Sequence, residues 1–125
     1  MAGPRVAIPR FDGQPLIDAY GNHQFRLAAQ EFDGSILLTP KGVYPWVVTQ
    51  IEDADVASLE AIVAAADTFD FLIVGTGPTM TRWPKAITGH LEAMRIIPDF
   101  MDTGAAARTY NVLRAEDRRV AAALI

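Results

Sequence analysis

The feature that most constrains the fold is a short apolar segment, Phe69 to Val74, which only Asp70 interrupts. A run of this length and composition is typical of a buried strand. The strand leads directly into the loop 75–79, Gly-Thr-Gly-Pro-Thr. Glycine after a strand allows a sharp turn that exposes backbone amides, and ligands of α/β sheets collect at such carboxyl ends. The segment therefore predicts a buried strand that ends in a candidate binding loop.

The residues before this strand have the pattern of an antiparallel meander. Apolar and other residues alternate over 25–29, and β-rich segments follow at 35–39 and 44–51. The Asp33-Gly34 pair between the first two segments is a strong turn signal. The first half of the chain is therefore predicted to be an antiparallel meander.

The second half alternates between helical and extended patterns. Asp55 can cap a first helix, Pro84 suits the first turn of a second, and Asp102 or Thr103 can cap a third that runs to about Ala115. Extended segments are predicted at 95–101 and 120–125. The order predicts a mixed α/β (α+β) fold, in which the meander is followed by α-β-α-β-α-β on one mixed sheet. We expect an irregular arm at 1–14 and a single domain at 15–125.

The composition excludes several classes of function. The net charge of −4 disfavours nucleic-acid binding, which normally needs a basic surface. The absence of cysteine excludes disulfides and thiolate chemistry. No apolar run approaches the roughly 20 residues of a membrane span, and the start lacks the apolar core of a secretory signal. We expect a cytoplasmic protein.

A second glycine loop, 101–108, resembles the first and predicts a shared site. If the two preceding strands are neighbours, the two loops surround one cleft, where arginine and free amides would suit a phosphate or carboxylate. The candidate ligand or partner residues are Gly75, Thr76, Gly77, Thr79, Arg82, Asp102, Thr103, Gly104 and Arg108. The alternative is structural: a tight strand-to-helix turn, with Arg108 bonded to Asp102 or to a strand carbonyl. The third glycine of a dinucleotide loop and the Gly-Lys-Ser/Thr ending of an ATPase loop are missing.

Other polar and aromatic residues give weaker signals. No pattern predicts a catalytic residue, a cofactor or a metal site, since neither His23 nor His90 has a second ligand at helical spacing. In the third helix, Tyr110 fits the core edge better than a catalytic acid, and Asn111 suggests a specific hydrogen bond. Trp46 and Trp83 each lie beside a proline and are either partner anchors or core residues.

Five segments in a fixed order carry a family resemblance. They are IDAYG (17–21), GSILL (34–38), LIVGTG (72–77), MDTGAA with RTYN (101–111) and RVAAALI (119–125). Together they resemble a family that contains the mitochondrial respiratory complex I assembly factor three proteins and uncharacterised bacterial members. The resemblance implies a three-layer β/β/α domain with no established catalytic activity. Family members often carry a cysteine at the position of Ala107, so thiol chemistry is not expected here.

Two functions follow as hypotheses. The first is a non-enzymatic assembly or interaction factor for membrane respiratory complexes, with protein subunits as partners and a place at the periphery of the inner membrane. The second is a small anionic-ligand-binding protein or enzyme with its site at the Gly75 and Gly104 loops. Self-association through an exposed Trp46 or Trp83 is a further possibility.

Overall fold

A computed structural model describes residues 13–125, so most of the predicted arm at 1–14 lies outside the described residues. The strands are β1 (Ile17–Gly21), β2 (Gln24–Leu27), β3 (Gln30–Asp33), β4 (Ser35–Thr39), β5 (Gly42–Trp46), β6 (Phe71–Gly75), β7 (Pro98–Met101) and β8 (Val120–Leu124). The α-helices are α1 (Glu60–Ala64), α2 (Lys85–Glu92) and α3 (Thr103–Ala115). No helix in this part of the chain is long and apolar enough to cross a membrane.

The strands form two sheets. One is an antiparallel sheet of β1, β2 and β3, and the other has the order β5-β4-β8-β6-β7, with β6 parallel to both β7 and β8. The mixed α/β fold, with an N-terminal antiparallel part and a mixed sheet, is confirmed, but β1, β2 and β3 do not join the mixed sheet as predicted and form a sheet of their own. Gly34 has a positive φ of 80° and separates β3 from β4. The buried side chains of Phe25 and Leu27 then pack the small sheet against a face of the large one.

Both faces of the large sheet are covered, which explains the apolar run that ends at Val74. Alternate residues face opposite sides, as strand geometry requires. Leu72 and Val74 face a core that includes Leu59 of the turn before α1 and Leu91 of α2. Ile73 faces a second core, to which the small sheet and α3 contribute. The molecule therefore has three layers: the small sheet with α3, the large sheet, and α1 with α2.

Four predicted elements are shorter than their sequence patterns. The strand predicted at 25–29 ends at Leu27, because Ala28 and Ala29 have positive φ values of 51° and 66° and form a turn. The strand predicted at 44–51 ends at Trp46 because its partner β4 begins at Ser35, which pairs with Trp46. The first helix is reduced to α1 flanked by 3-10 turns at Ala57–Leu59 and Ala66–Thr68. The extended segment predicted from Arg95 begins only at Pro98, since Arg95 has a positive φ of 64°.

Both tryptophans are core residues, which confirms the core alternative for each and not the partner-anchor alternative. Trp46 and Trp83 are only 4% and 5% exposed. Their rings pack edge to face with centroids 6.4 Å apart, and Trp83 packs in the same way on Phe100 at 5.1 Å. The burial of two tryptophan side chains stabilises the core. It also removes the surface on which self-association was predicted.

Candidate functional site

The two glycine loops are neighbours, as the predicted site requires. Strands β6 and β7 run parallel, with Gly75 opposite Met101. The backbone then continues the contact past the strands, because the Thr76 amide donates to the Met101 carbonyl at 2.9 Å. The Thr103 amide donates to the Gly77 carbonyl at 2.9 Å. The end of β6 and the start of α3 are thus joined by main-chain hydrogen bonds.

Two threonine hydroxyls form hydrogen bonds with backbone groups of these loops and of Ile125, just after β8. The Thr103 hydroxyl donates to the Ile125 carbonyl at 2.7 Å and accepts from the Gly77 amide at 2.9 Å. The Thr76 hydroxyl donates to the Thr79 carbonyl at 2.6 Å and accepts from the Thr81 amide at 3.0 Å. A buried polar group normally needs such partners. These contacts favour a structural role for Thr76, Gly77 and Thr103.

The two predicted glycines are sites of close approach. A Cβ atom on Gly75 would lie 2.9 Å from Leu124 Cδ2 and 3.1 Å from Ala106 Cβ, so only glycine lets α3 and β8 approach β6 at this point. A Cβ atom on Gly104 would overlap the hydroxyl of Tyr20. The absence of a side chain at Gly104 therefore allows the ring of Tyr20 to reach the start of α3.

The charged residues of the predicted site have different surroundings. Asp102 caps α3, because its Oδ1 accepts from the Ala105 amide at 2.9 Å. Arg82 and Arg108 are exposed, as is Thr79. Within residues 13–125 neither guanidinium has an assigned hydrogen bond, so the predicted alternative that ties Arg108 to Asp102 is not seen. The structure thus joins the backbone of the two loops but leaves both arginines in solvent.

A cleft of about 700 Å³ opens beside these loops, between the small sheet and the carboxyl end of β8. We call it the Tyr20–Asp102 cleft. It is lined by Tyr20, Gly21, His23, Gln24, Phe25, Gly34, Ser35, Thr49, Gln50, Gly77, Pro78, Asp102, Thr103, Gly104 and Ile125. Four of the nine predicted site residues are in this wall: Gly77, Asp102, Thr103 and Gly104.

Sequence reasoning missed the half of the cleft that the small sheet supplies. The turn between β1 and β2 brings Tyr20 over α3, and its residues Asn22 and His23 have positive φ values of 52° and 60°. The turn itself could be read from Gly21-Asn22. Its contact with Gly104 could not, because no local pattern links residues so far apart in the chain.

Tyr110 and Asn111 attach the start of the domain to α3. Tyr110 is fully buried, and its hydroxyl donates to the Pro15 carbonyl at 2.6 Å. Burial raises the pKa of Tyr110 well above its usual range, against the opposing effect of the Arg114 charge. A phenol held neutral in this way is a structural group. The Asn111 side chain accepts from the Ile17 amide and donates to the Ile17 carbonyl, both at 2.8 Å, which confirms the predicted specific hydrogen bond.

The three layers and the cleft define the class of protein: a small α/β domain with an open cleft beside the carboxyl ends of its parallel strands. Within the described residues no group of three His, Cys, Asp or Glu side chains could hold a metal ion. The chain belongs to the family described as "Protein of unknown function (DUF498/DUF598)", which matches residues 17–125.

Known proteins support this membership. An uncharacterized protein of Rhodobacter capsulatus is 38% identical over 117 residues, which are 94% of this chain and 89% of that protein. The NADH dehydrogenase [ubiquinone] 1 alpha subcomplex assembly factor 3 of Xenopus tropicalis is 28% identical over 88% of this chain. This match spans 60% of the Xenopus protein. A crystal structure from Bartonella henselae, described as an outer membrane protein, superposes with a TM-score of 0.86 at 40% identity, covering 93% of this chain and 98% of that one. The predicted family is therefore confirmed.

Proposed function

We propose that this protein is a non-enzymatic assembly or interaction factor for membrane respiratory complexes, with protein subunits of such a complex as its partners. The observation that carries the proposal is the match to the Xenopus assembly factor, which covers 88% of this chain and so spans nearly the whole described domain. The proposed place of action is the cytoplasm, at the periphery of the inner membrane.

The chemistry of the loops supports a binding role. The hydroxyls of Thr76 and Thr103 are committed to backbone partners at the strand ends. Tyr110, the buried phenol in the second half of α3, is held neutral and hydrogen-bonded. Groups that are fixed in this way position a surface and are poor candidates for proton transfer. These fixed groups therefore support a role in binding a partner and not in catalysis.

Gene deletion in the host organism tests the proposal. Loss of the protein is expected to lower the amount of assembled NADH dehydrogenase in the membrane, because an assembly factor raises the yield of the finished complex. Native gel electrophoresis with an in-gel NADH stain measures this amount. Complementation with the wild-type gene should restore it.

A direct control separates assembly from expression. The unassembled subunits should still be synthesised in the deletion strain, and affinity capture with the tagged wild-type protein should recover one or more of them. Unchanged levels of assembled NADH dehydrogenase in the deletion strain would refute the proposed role.

A further inference from the structure

The Tyr20–Asp102 cleft contains a charged hydrogen-bonding group, Asp102, that the fold does not use completely. Asp102 Oδ1 accepts the Ala105 amide in the cap of α3. The other carboxylate oxygen has no assigned partner among residues 13–125, whereas the Thr103 hydroxyl in the same wall already has a donor and an acceptor. Asp102 is half-buried as a residue, and its second carboxylate oxygen can accept a charge-assisted hydrogen bond from a suitable donor.

The charge of the cleft wall determines whether a bound ligand is expected to be an anion or a cation. Asp102 is the one lining side chain of the cleft that is an Asp, Glu, Lys or Arg. Arg82 and Arg108 are exposed and do not line the cleft, so they cannot neutralise it from inside. The α3 N-terminus contributes only about half a positive charge, which the full charge of Asp102 outweighs. An anion would be repelled by this wall, and a cation attracted.

The other walls suit a flat apolar body. Tyr20 is 48% exposed, and its ring stacks on Phe25 with centroids 6.5 Å apart. Pro78 and Ile125 add further apolar surface to the cleft. Aromatic rings attract cations as well as apolar groups. The cleft volume of about 700 Å³ also lies within the usual range for small organic ligands, about 300 to 1,000 Å³.

We propose that the Tyr20–Asp102 cleft binds an organic cation, in which an ammonium, amidinium or guanidinium group sits at Asp102 and a flat apolar body lies along Tyr20. Free small molecules carry this chemistry, and so do basic side chains of a polypeptide. The site does not depend on the proposed assembly role, because its argument uses only the charge and shape of the cleft.

A series of three probes of one shape tests the sign of the charge. Benzamidine, benzamide and benzoate share a ring and differ in charge. Titration into the labelled protein is followed by the amide resonances of four lining glycines, Gly21, Gly34, Gly77 and Gly104. We expect saturable shifts with benzamidine, binding at least about tenfold weaker with benzamide, equivalent to one charge-assisted contact, and no saturable shift with benzoate.

Two variants locate the contact. Asp102→Asn keeps a residue that caps helices well, so α3 should remain intact while the charge is removed. This change should weaken benzamidine binding about tenfold. The matched control is Asp99→Asn, which removes an exposed carboxylate from β7 outside the cleft and should leave binding unchanged.

A capped dipeptide distinguishes the two sources of the cation. N-acetyl-phenylalanyl-arginine amide presents a guanidinium with an aromatic ring on a peptide backbone. Binding tighter than that of benzamidine, and dependent on Asp102, assigns the site to a basic side chain of a partner polypeptide. Weaker binding assigns it to a free cation. The proposal is overturned if benzoate or benzamide binds as well as benzamidine, if Asp102→Asn changes nothing, or if no probe shifts the four glycines at millimolar concentration.

Discussion

At the scale of single residues, Gly75 and Gly104, the two glycines of the predicted site, have different roles. Gly75 lets three elements approach one another, since its missing Cβ would meet Leu124 and Ala106. Gly104 leaves space for a side chain from another sheet, the ring of Tyr20. The first glycine is therefore required for packing, and the second shapes the cleft.

Gly75→Ala should destabilise the protein by about 1–3 kcal/mol, the usual cost of inserting a methyl group into a packed core. The new Cβ would lie 2.9 Å from Leu124 Cδ2 and 3.1 Å from the Thr103 backbone. Urea denaturation gives the free energy of unfolding. Gly89→Ala is the matched control, because Gly89 is an exposed residue of α2 with nothing near its Cβ position. That variant should be unchanged or more stable by up to about 1 kcal/mol, and equal stability of both variants would contradict the close-approach argument.

Tyr110 should make the protein sensitive to alkali. Burial raises the pKa of Tyr110 in the folded state, while in the unfolded chain the phenol ionises at about 10. Its contribution to stability is thus fully present below pH about 10 and is lost as the pH rises toward the higher folded-state pKa. Tyr110→Phe should cost about 1 kcal/mol at pH 7, because the Pro15 carbonyl loses its donor.

The difference between wild type and Tyr110→Phe should then shrink above pH 10 and reverse, since the variant has no phenol to ionise at this position. Denaturation curves of both proteins between pH 7 and pH 11 provide the measurement. A constant difference across this range would show that Tyr110 ionises equally in the folded and unfolded states.

At the scale of elements, short polar contacts fix how strands and helices meet. The side chain of Asn111 in α3 hydrogen-bonds both the amide and the carbonyl of Ile17. It thus provides β1 with the two hydrogen bonds that a neighbouring strand would otherwise make. Asp70 and Arg119 form a second such contact at 2.7 Å immediately before β6 and β8. The hydrogen bond from Arg119 holds the pKa of Asp70 below its usual value, although both side chains are well exposed. Asp70 therefore interrupts the apolar run only where β6 has not yet begun.

Asn111→Ala should destabilise the protein by about 2 kcal/mol, because the amide and the carbonyl of Ile17 both lose their partner. Thermal or urea denaturation gives the magnitude. Hydrogen exchange at β1 should rise more than exchange at β6, since the lost contact holds β1 to α3.

Val112→Ala is the control for this variant. Val112 is the next residue of α3 and is 55% exposed, so its truncation should change stability by less than about 0.5 kcal/mol. If both variants lost a similar amount of stability, the loss in Asn111→Ala would come from a general effect on α3 and not from its hydrogen bonds to Ile17.

At the scale of the whole molecule, the features that could be predicted from the sequence are those that depend on residues close together in the chain. The apolar run before Gly75 and the capping residue Asp102 act over a few neighbours, so the sequence shows the element order from β4 onward and the start of α3, whereas β1 and β3 were not predicted. The division into two sheets was not predicted, because it is seen only in the packing across the molecule, where Phe25 and Leu27 of β2 are buried against a face of the large sheet. The same limit applies to the cleft, where Tyr20 meets Gly104 across layers.

The position of β8 has a consequence for how the protein is made. This strand lies between β4 and β6 and pairs with both, although it is the last strand in chain order. A growing chain on the ribosome therefore exposes β4 and β6 as unpaired edges until β8 has emerged from the exit tunnel. Unpaired apolar strands are prone to aggregation. The large sheet therefore stays divided until β8 has emerged and inserts between β4 and β6.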